Sequence, residues 1–203
     1  DLSLYQHGVY PRDTGHLYGV LSAPLIHGSW MHLMTNSVAL LVLLSSAVYG
    51  YPRASIYAIT TIYLGSGFGV WLYARPSFHF GISGLTFGLM FFTFTIGALR
   101  WDKRASALAM LVFFLYGSMI WGIFPNRPGI SFEYHFFGAL SGVLSAIVLR
   151  RLDPPPPQKR YSWEGEDDDA DGAGELREPD SSALPPNQQA VAVTKPSPRQ
   201  TPV

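Results

Sequence analysis

The sequence has 203 residues, 48% of them hydrophobic, with 14 basic and 14 acidic side chains, a formal net charge of zero and no cysteine. The lack of cysteine excludes a disulfide scaffold, a thiolate metal site and a cysteine nucleophile. Between residues 21 and 152 the only acids are Asp102 and Glu133, which excludes an ordinary water-soluble domain and makes lipid the natural solvent of that stretch.

The first residues carry no continuous apolar run, so no cleavable signal peptide is expected within them. Gly8, Pro11, Gly15 and Gly19 give residues 1–24 the character of a loop on the outer side. Five apolar segments follow, at 29–49, 54–74, 83–99, 105–124 and 132–152. About 20 helical residues cross a hydrocarbon core of about 30 Å, and lipid leaves no water for open backbone groups, so all five are expected to be helices. Ser29 is the expected N-cap of the first and Gly50 the residue just past its end. The third is short at its start, which suits a helix that begins below the membrane surface. Gly65-Ser66-Gly67-Phe68-Gly69 lies inside the second apolar segment, where it reads as a packing face rather than a phosphate-binding loop. Arg53, Arg100, Lys103, Arg104, Arg150 and Arg151 fall on one side of the spans, and Arg12, Arg75 and Arg127 on the other. The richer side is expected to be cytoplasmic. The prolines at 154–157 stop the last helix. The acidic, Pro- and Ser-rich residues 153–203 are expected to be a disordered cytoplasmic tail.

Polar side chains within lipid-facing helices are costly and each needs a reason. Ser83, in Gly81-Ile82-Ser83-Gly84, opens the third apolar segment, where glycines admit a close backbone approach and a helix start offers free N–H groups to an anion. His135, in His135-Phe136-Phe137-Gly138-Ala139-Leu140-Ser141-Gly142, lies one turn inside the last. Gly84 and Gly88 form a small-residue face below Ser83, and Gly138 and Gly142 another below His135. Two such faces pack closely in membranes, and their meeting would bring Ser83 and His135 into the hydrogen-bond reach that serine nucleophiles require. His32 and Asn36, four apart, share one face near the outer end of the first helix. They are either oxyanion donors or polar contacts between helices.

The pattern His27-x4-His32-x3-Asn36, then Gly81-x-Ser83-Gly84, then His135-x2-Gly138-x3-Gly142, each opening a membrane helix from the same side, resembles the rhomboid family over residues 20–152. The resemblance implies an all-α, polytopic membrane helix bundle. It implies an intramembrane serine endopeptidase with a Ser83–His135 dyad, acting on transmembrane proteins without cofactor or metal. It also implies an oxyanion hole of His32, Asn36 and the Ser83 N–H, with His27 ordering the outer end of its helix. Three departures stand out. The family's first helix is missing before residue 25, so the sequence is expected to be a fragment or truncated form. Tyr10-Pro11-Arg12 stands where the family's outer loop often has Trp-Arg. Phe87 stands where a tyrosine often stacks on the catalytic histidine, keeping the ring and losing the hydroxyl.

The expected organisation is an outer loop segment at 1–24, the protease core at 25–152 and the tail at 153–203. The expected location is a bacterial plasma (inner) membrane, with the bilayer and transmembrane substrates as partners and no nucleic acid. A zinc protease would need His-Glu-x-x-His and an aspartyl protease two membrane aspartates; neither pattern is present, and His27 and His32 are badly spaced for one metal. No acid completes a triad, since Glu133 is expected to lie in the outer loop on a different face from His135. The alternative to a protease is a catalytically inactive relative that binds membrane proteins.

Overall fold

The computed structural model describes residues 2–100, 102–125 and 129–154. Arg127 and the expected tail from residue 155 onward lie outside the described residues. The described elements are helical, beginning with 3₁₀ segments at Leu2–His7 and Thr14–His16 and a short helix α1, Gly19–Ser22, that tightens into a 3₁₀ turn at Ala23–Leu25. Four long helices follow: α2, Trp30–Gly50; α3, Pro52–Tyr73; α4, Ser83–Arg100; and α5, Lys103–Tyr116, which continues as a 3₁₀ segment Gly117–Ile123. The last is α6, Phe132–Leu149. Five spans are long and apolar enough to cross a membrane, one each from α2, α3, α4, α5 with its 3₁₀ extension, and α6.

Local chemistry sets the boundaries. Ser29 is extended and its hydroxyl accepts the His32 N–H at 3.1 Å, capping α2. Pro52 opens α3, where its missing N–H costs nothing, and only Tyr51 separates it from α2. Asp102 caps α5 by accepting from Ala105 N at 2.9 Å. Ser131 caps α6 by accepting from Tyr134 N at 3.2 Å.

The fourth apolar segment differs from the single helix expected over 105–124. Its α-helical hydrogen bonding stops at Tyr116, and Gly117–Ile123 winds as a 3₁₀ helix. Gly117 and Gly122 are weak helix formers, and the tighter winding stretches the segment along its axis. Glu133 also differs. It is the second residue of α6 rather than part of a loop, and it is buried with Oε1 3.5 Å from Arg75 Nε. Asp153, grouped with the tail by its sequence neighbours, is buried as well. Its carboxylate accepts from Arg53 N at 3.1 Å and Ala54 N at 2.8 Å, supplying the cap that α3 lacks locally. Arg100 donates to the Asp153 carbonyl and to Asp102.

α4 is the axis of the bundle. It is 67% buried along its length, against 17% for the spanning stretches of α2 and of α5 with its extension. Its Leu85, Leu89, Phe92 and Ile96 pack with Leu43 and Ala47 of α2, Ala58 and Ile62 of α3, Val112 of α5 and Ala146 of α6. The closest seam is between α4 and α6, where a Cβ on Gly138 would strike the Gly84 carbonyl and one on Gly142 the Gly88 carbonyl. Glycine on both helices lets the backbones themselves touch. Gly65 and Gly69 of α3 meet Ser141 and Phe137 of α6, and Gly67 meets Val20 of α1, so this glycine run is a packing face. Trp30, Leu41, Phe114 and Val148 point outward and are exposed, as lipid-facing side chains are.

The segment before α2 is pinned against one end of the bundle. Val9 and His79 exchange backbone hydrogen bonds, both 2.9 Å. Arg12 takes a left-handed backbone (φ 61°), and its guanidinium donates to Leu72 O and Ala74 O at 3.3 and 3.1 Å, closing the C-terminal end of α3. His79 is fully buried between that end and α6.

Candidate active site

Ser83 is the first residue of α4. The turn that delivers it requires glycine at 81, where φ is +112°, and Gly81 N donates to Ala23 O at 2.8 Å. His135 stands in the first turn of α6. The glycine seam lowers α6 onto α4 until Ser83 Oγ and His135 Nε2 are 2.9 Å apart, both buried. On its other side the ring's Nδ1 is 2.9 Å from Gly122 O. A carbonyl can only accept, so the hydrogen of the neutral ring is on Nδ1, and Nε2 is left with a lone pair toward the Ser83 hydroxyl. Phe87, one turn after Ser83, stacks on the imidazole at 4.0 Å between centroids and 5° between planes.

These groups line a cavity of about 760 Å³. His32 and Asn36 of α2 line it with Ser83, Phe87 and His135. Asn36 Nδ2 donates to His32 O at 3.0 Å, which occupies one of its two amide hydrogens. A Cβ built on Gly81 would stand 3.7 Å from His32 Nε2 and 3.9 Å from Ser83 Oγ. The missing side chain therefore leaves a space that touches both groups. His27 meets the His32 ring edge-on at 5.3 Å. Burial, and then the neighbouring His32, hold the His27 pKa below the ordinary histidine value.

The structure thus places Ser83, His135, His32, Asn36 and Phe87 around one cavity, sets His27 behind His32, and seats Gly84, Gly138 and Gly142 in the seam beneath. Three further residues act on the site without having been singled out from the sequence. Gly122 supplies the carbonyl on His135. His79 Nε2–H donates to Arg75 O at 3.0 Å, which leaves Nδ1 to accept the Ser131 hydroxyl at 2.7 Å. Ser131 in turn caps α6, four residues before His135. A serine just before an apolar segment is a readable N-cap signal; nothing in the sequence marks His79, and the one signal for Gly122 is Pro125, three residues on, which has no N–H to donate to its carbonyl. Burial holds the His79 pKa below its ordinary value, with Glu133 opposing that effect. Among the described residues no group of three or more His, Cys, Asp or Glu is placed to hold a metal ion.

A family model described as Rhomboid domain matches residues 14–152. Uncharacterized proteins of Mycobacterium tuberculosis and Mycobacterium bovis are each 34% identical over 152 residues, covering 70% of this chain and 63% of the relative. An uncharacterized protein of Mycobacterium leprae is 32% identical over 160 residues, covering 72% of this chain and 62% of the relative. The chain spans less than two thirds of the length of these relatives.

Proposed function

The chain belongs to the rhomboid family and is a multi-pass membrane protein, and on that premise we propose that it is an intramembrane serine endopeptidase with Ser83 as nucleophile and His135 as base. The observation that carries this reading is the 2.9 Å contact of Ser83 Oγ with His135 Nε2 at the edge of a polar-lined cavity.

The reaction follows from the geometry. His135 Nε2 takes the Ser83 proton as Oγ attacks the scissile carbonyl of a membrane-protein substrate. The resulting oxyanion occupies the space in front of Gly81, within reach of His32 Nε2, with the free amide hydrogen of Asn36 and the N–H at the start of α4 as further donors. The imidazolium then gives its proton to the leaving amine, and water enters by the same cavity to release the acyl group from Ser83. Substrates are membrane-spanning proteins. The relatives of Mycobacterium support a bacterial plasma membrane, with the Arg53 and Arg100–Arg104 end of the bundle in the cytoplasm.

A fluorophosphonate probe tests the dyad directly. It is expected to modify Ser83 alone, and the modification is expected to be lost in Ser83→Ala and to slow sharply in His135→Ala. Unchanged labelling in His135→Ala would remove the base from the mechanism and favour a relative that binds membrane proteins without cleaving them.

A further inference from the structure

We propose that Gly122 is the positioning residue of the base: its main-chain carbonyl stands where a serine triad has an acid, and it fixes His135 in the one tautomer that can accept the Ser83 proton. The inference rests on the Ser83–His135 reading and adds the residue that makes the dyad competent.

A neutral imidazole carries one N–H. Were it on Nε2, His135 would donate to Ser83 Oγ at 2.9 Å and could take no proton from it. The Gly122 carbonyl, 2.9 Å from Nδ1, excludes that tautomer because two lone pairs would face each other. Among the described residues no carboxylate bonds His135 Nδ1. Glu133 is engaged with Arg75, and among the cavity-lining residues Arg75 alone bears a full charge independent of histidine protonation. When Ser83 gives up its proton, the Nδ1–H···O contact becomes a charge-assisted bond and strengthens as the imidazolium forms.

The carbonyl is available for a reason written in the chain. In a 3₁₀ turn it would accept from the N–H three residues on. That residue is Pro125, which has none. The 3₁₀ winding of Gly117–Ile123 therefore ends with a carbonyl that lacks its 3₁₀ donor, and the structure turns it onto His135. Only glycine permits this approach, since a Cβ at 122 would stand 2.6 Å from Phe87 Cζ and 3.3 Å from His135 Nδ1.

The test uses the full chain in detergent micelles, with 15N-labelled histidine for NMR and a single-span substrate for kinetics. The unmodified protein is expected to show His135 protonated at Nδ1. Replacing Ile123 by its α-hydroxy analogue turns the 122–123 amide into an ester and weakens the Gly122 carbonyl while leaving every side chain in place. It is expected to lower kcat by about tenfold, the scale of one weakened hydrogen bond, with KM nearly unchanged and Nδ1 protonation reduced. The same change at Ile120 serves as the control and should have little effect. Gly122→Ala is expected to lower kcat by roughly 100-fold by displacing the ring. An Nε2–H tautomer in the unmodified chain, or equal kcat for the esters at 123 and 120, would overturn the proposal. Because the tautomer is read without turnover, an unmodified chain that fails to cleave would count against the dyad reading and still leave the role of Gly122 decided by the NMR.

Discussion

His79 connects both halves of the dyad without touching either. Its ring joins Arg75 O to Ser131 Oγ, and its backbone pairs with Val9. Ser83 follows it by four residues, and His135 follows Ser131 by four. A protonated ring would have to donate from Nδ1 as well, so the Ser131 hydroxyl would lose its acceptor. Because burial holds the folded pKa of His79 down, the unfolded chain takes up the proton first. The stability it contributes is whole above the unfolded value of about 6.5 and is lost as pH falls through the folded value. The charged groups beside the ring are Arg75 and Glu133, and His27 adds a shift of the same sign. The thermal midpoint in detergent is therefore expected to fall as pH is lowered from 7.5 to 5, and His79→Gln is expected to flatten that fall. An equally steep decline in His79→Gln would assign the pH response elsewhere.

The oxyanion reading also belongs to single residues. His32→Ala and Asn36→Ala are each expected to lower kcat by roughly 3 kcal/mol of transition-state stabilisation at most, with KM little changed, because the bonds strengthen only as charge develops. Equal losses in KM and none in kcat would reduce both residues to contacts between helices. Gly81→Ala should be inactive on two grounds, the left-handed backbone and the filled space between His32 and Ser83.

Among the elements, the α4–α6 seam was legible in advance. The four-residue spacing of Gly84 and Gly88, and of Gly138 and Gly142, is a pattern in the letters, and the structure sets each glycine of α6 on a carbonyl of α4. Gly142→Leu should therefore lower stability by roughly 1–3 kcal/mol through overpacking, whereas Val148→Leu, on the exposed face of the same helix, should be neutral. Thermal unfolding in micelles separates the two. The element that was not legible is the end of α5. Hydropathy marks a segment as apolar whether it winds as α or 3₁₀, so the change at Gly117 left no trace in the pattern. Asp153 was missed for a related reason. It follows the last apolar segment and opens an acidic stretch, yet its partners are N–H groups about 100 residues earlier in the chain. Asp153→Ala is expected to cost about 1 kcal/mol, the usual loss of an N-cap.

Across the whole molecule, the membrane setting made much of the fold readable. Lipid admits few backbone solutions, so five apolar segments became five spanning helices with ends displaced by only a few residues. The side chains of the candidate site were readable because a polar residue in an apolar span is conspicuous, as Ser83, His135, His32 and Asn36 were. What escaped was contributed by the backbone or by loops. Every residue carries a carbonyl, and although Pro125 deprives that of Gly122 of its 3₁₀ donor, its aim at His135 emerges only when α5 and α6 are packed. His79 lies in a polar connection where a histidine is ordinary.

The central claim is that Ser83 and His135 together cleave peptide bonds, and cleavage in a defined bilayer tests it most directly. Purified protein and a single-span substrate are reconstituted in liposomes, and product is measured for the unmodified chain, Ser83→Ala and His135→Ala. The account predicts cleavage near one end of the span by the unmodified chain and none by either variant, with both variants retaining the thermal midpoint of the folded protein. Cleavage by Ser83→Ala at the unmodified rate would contradict it.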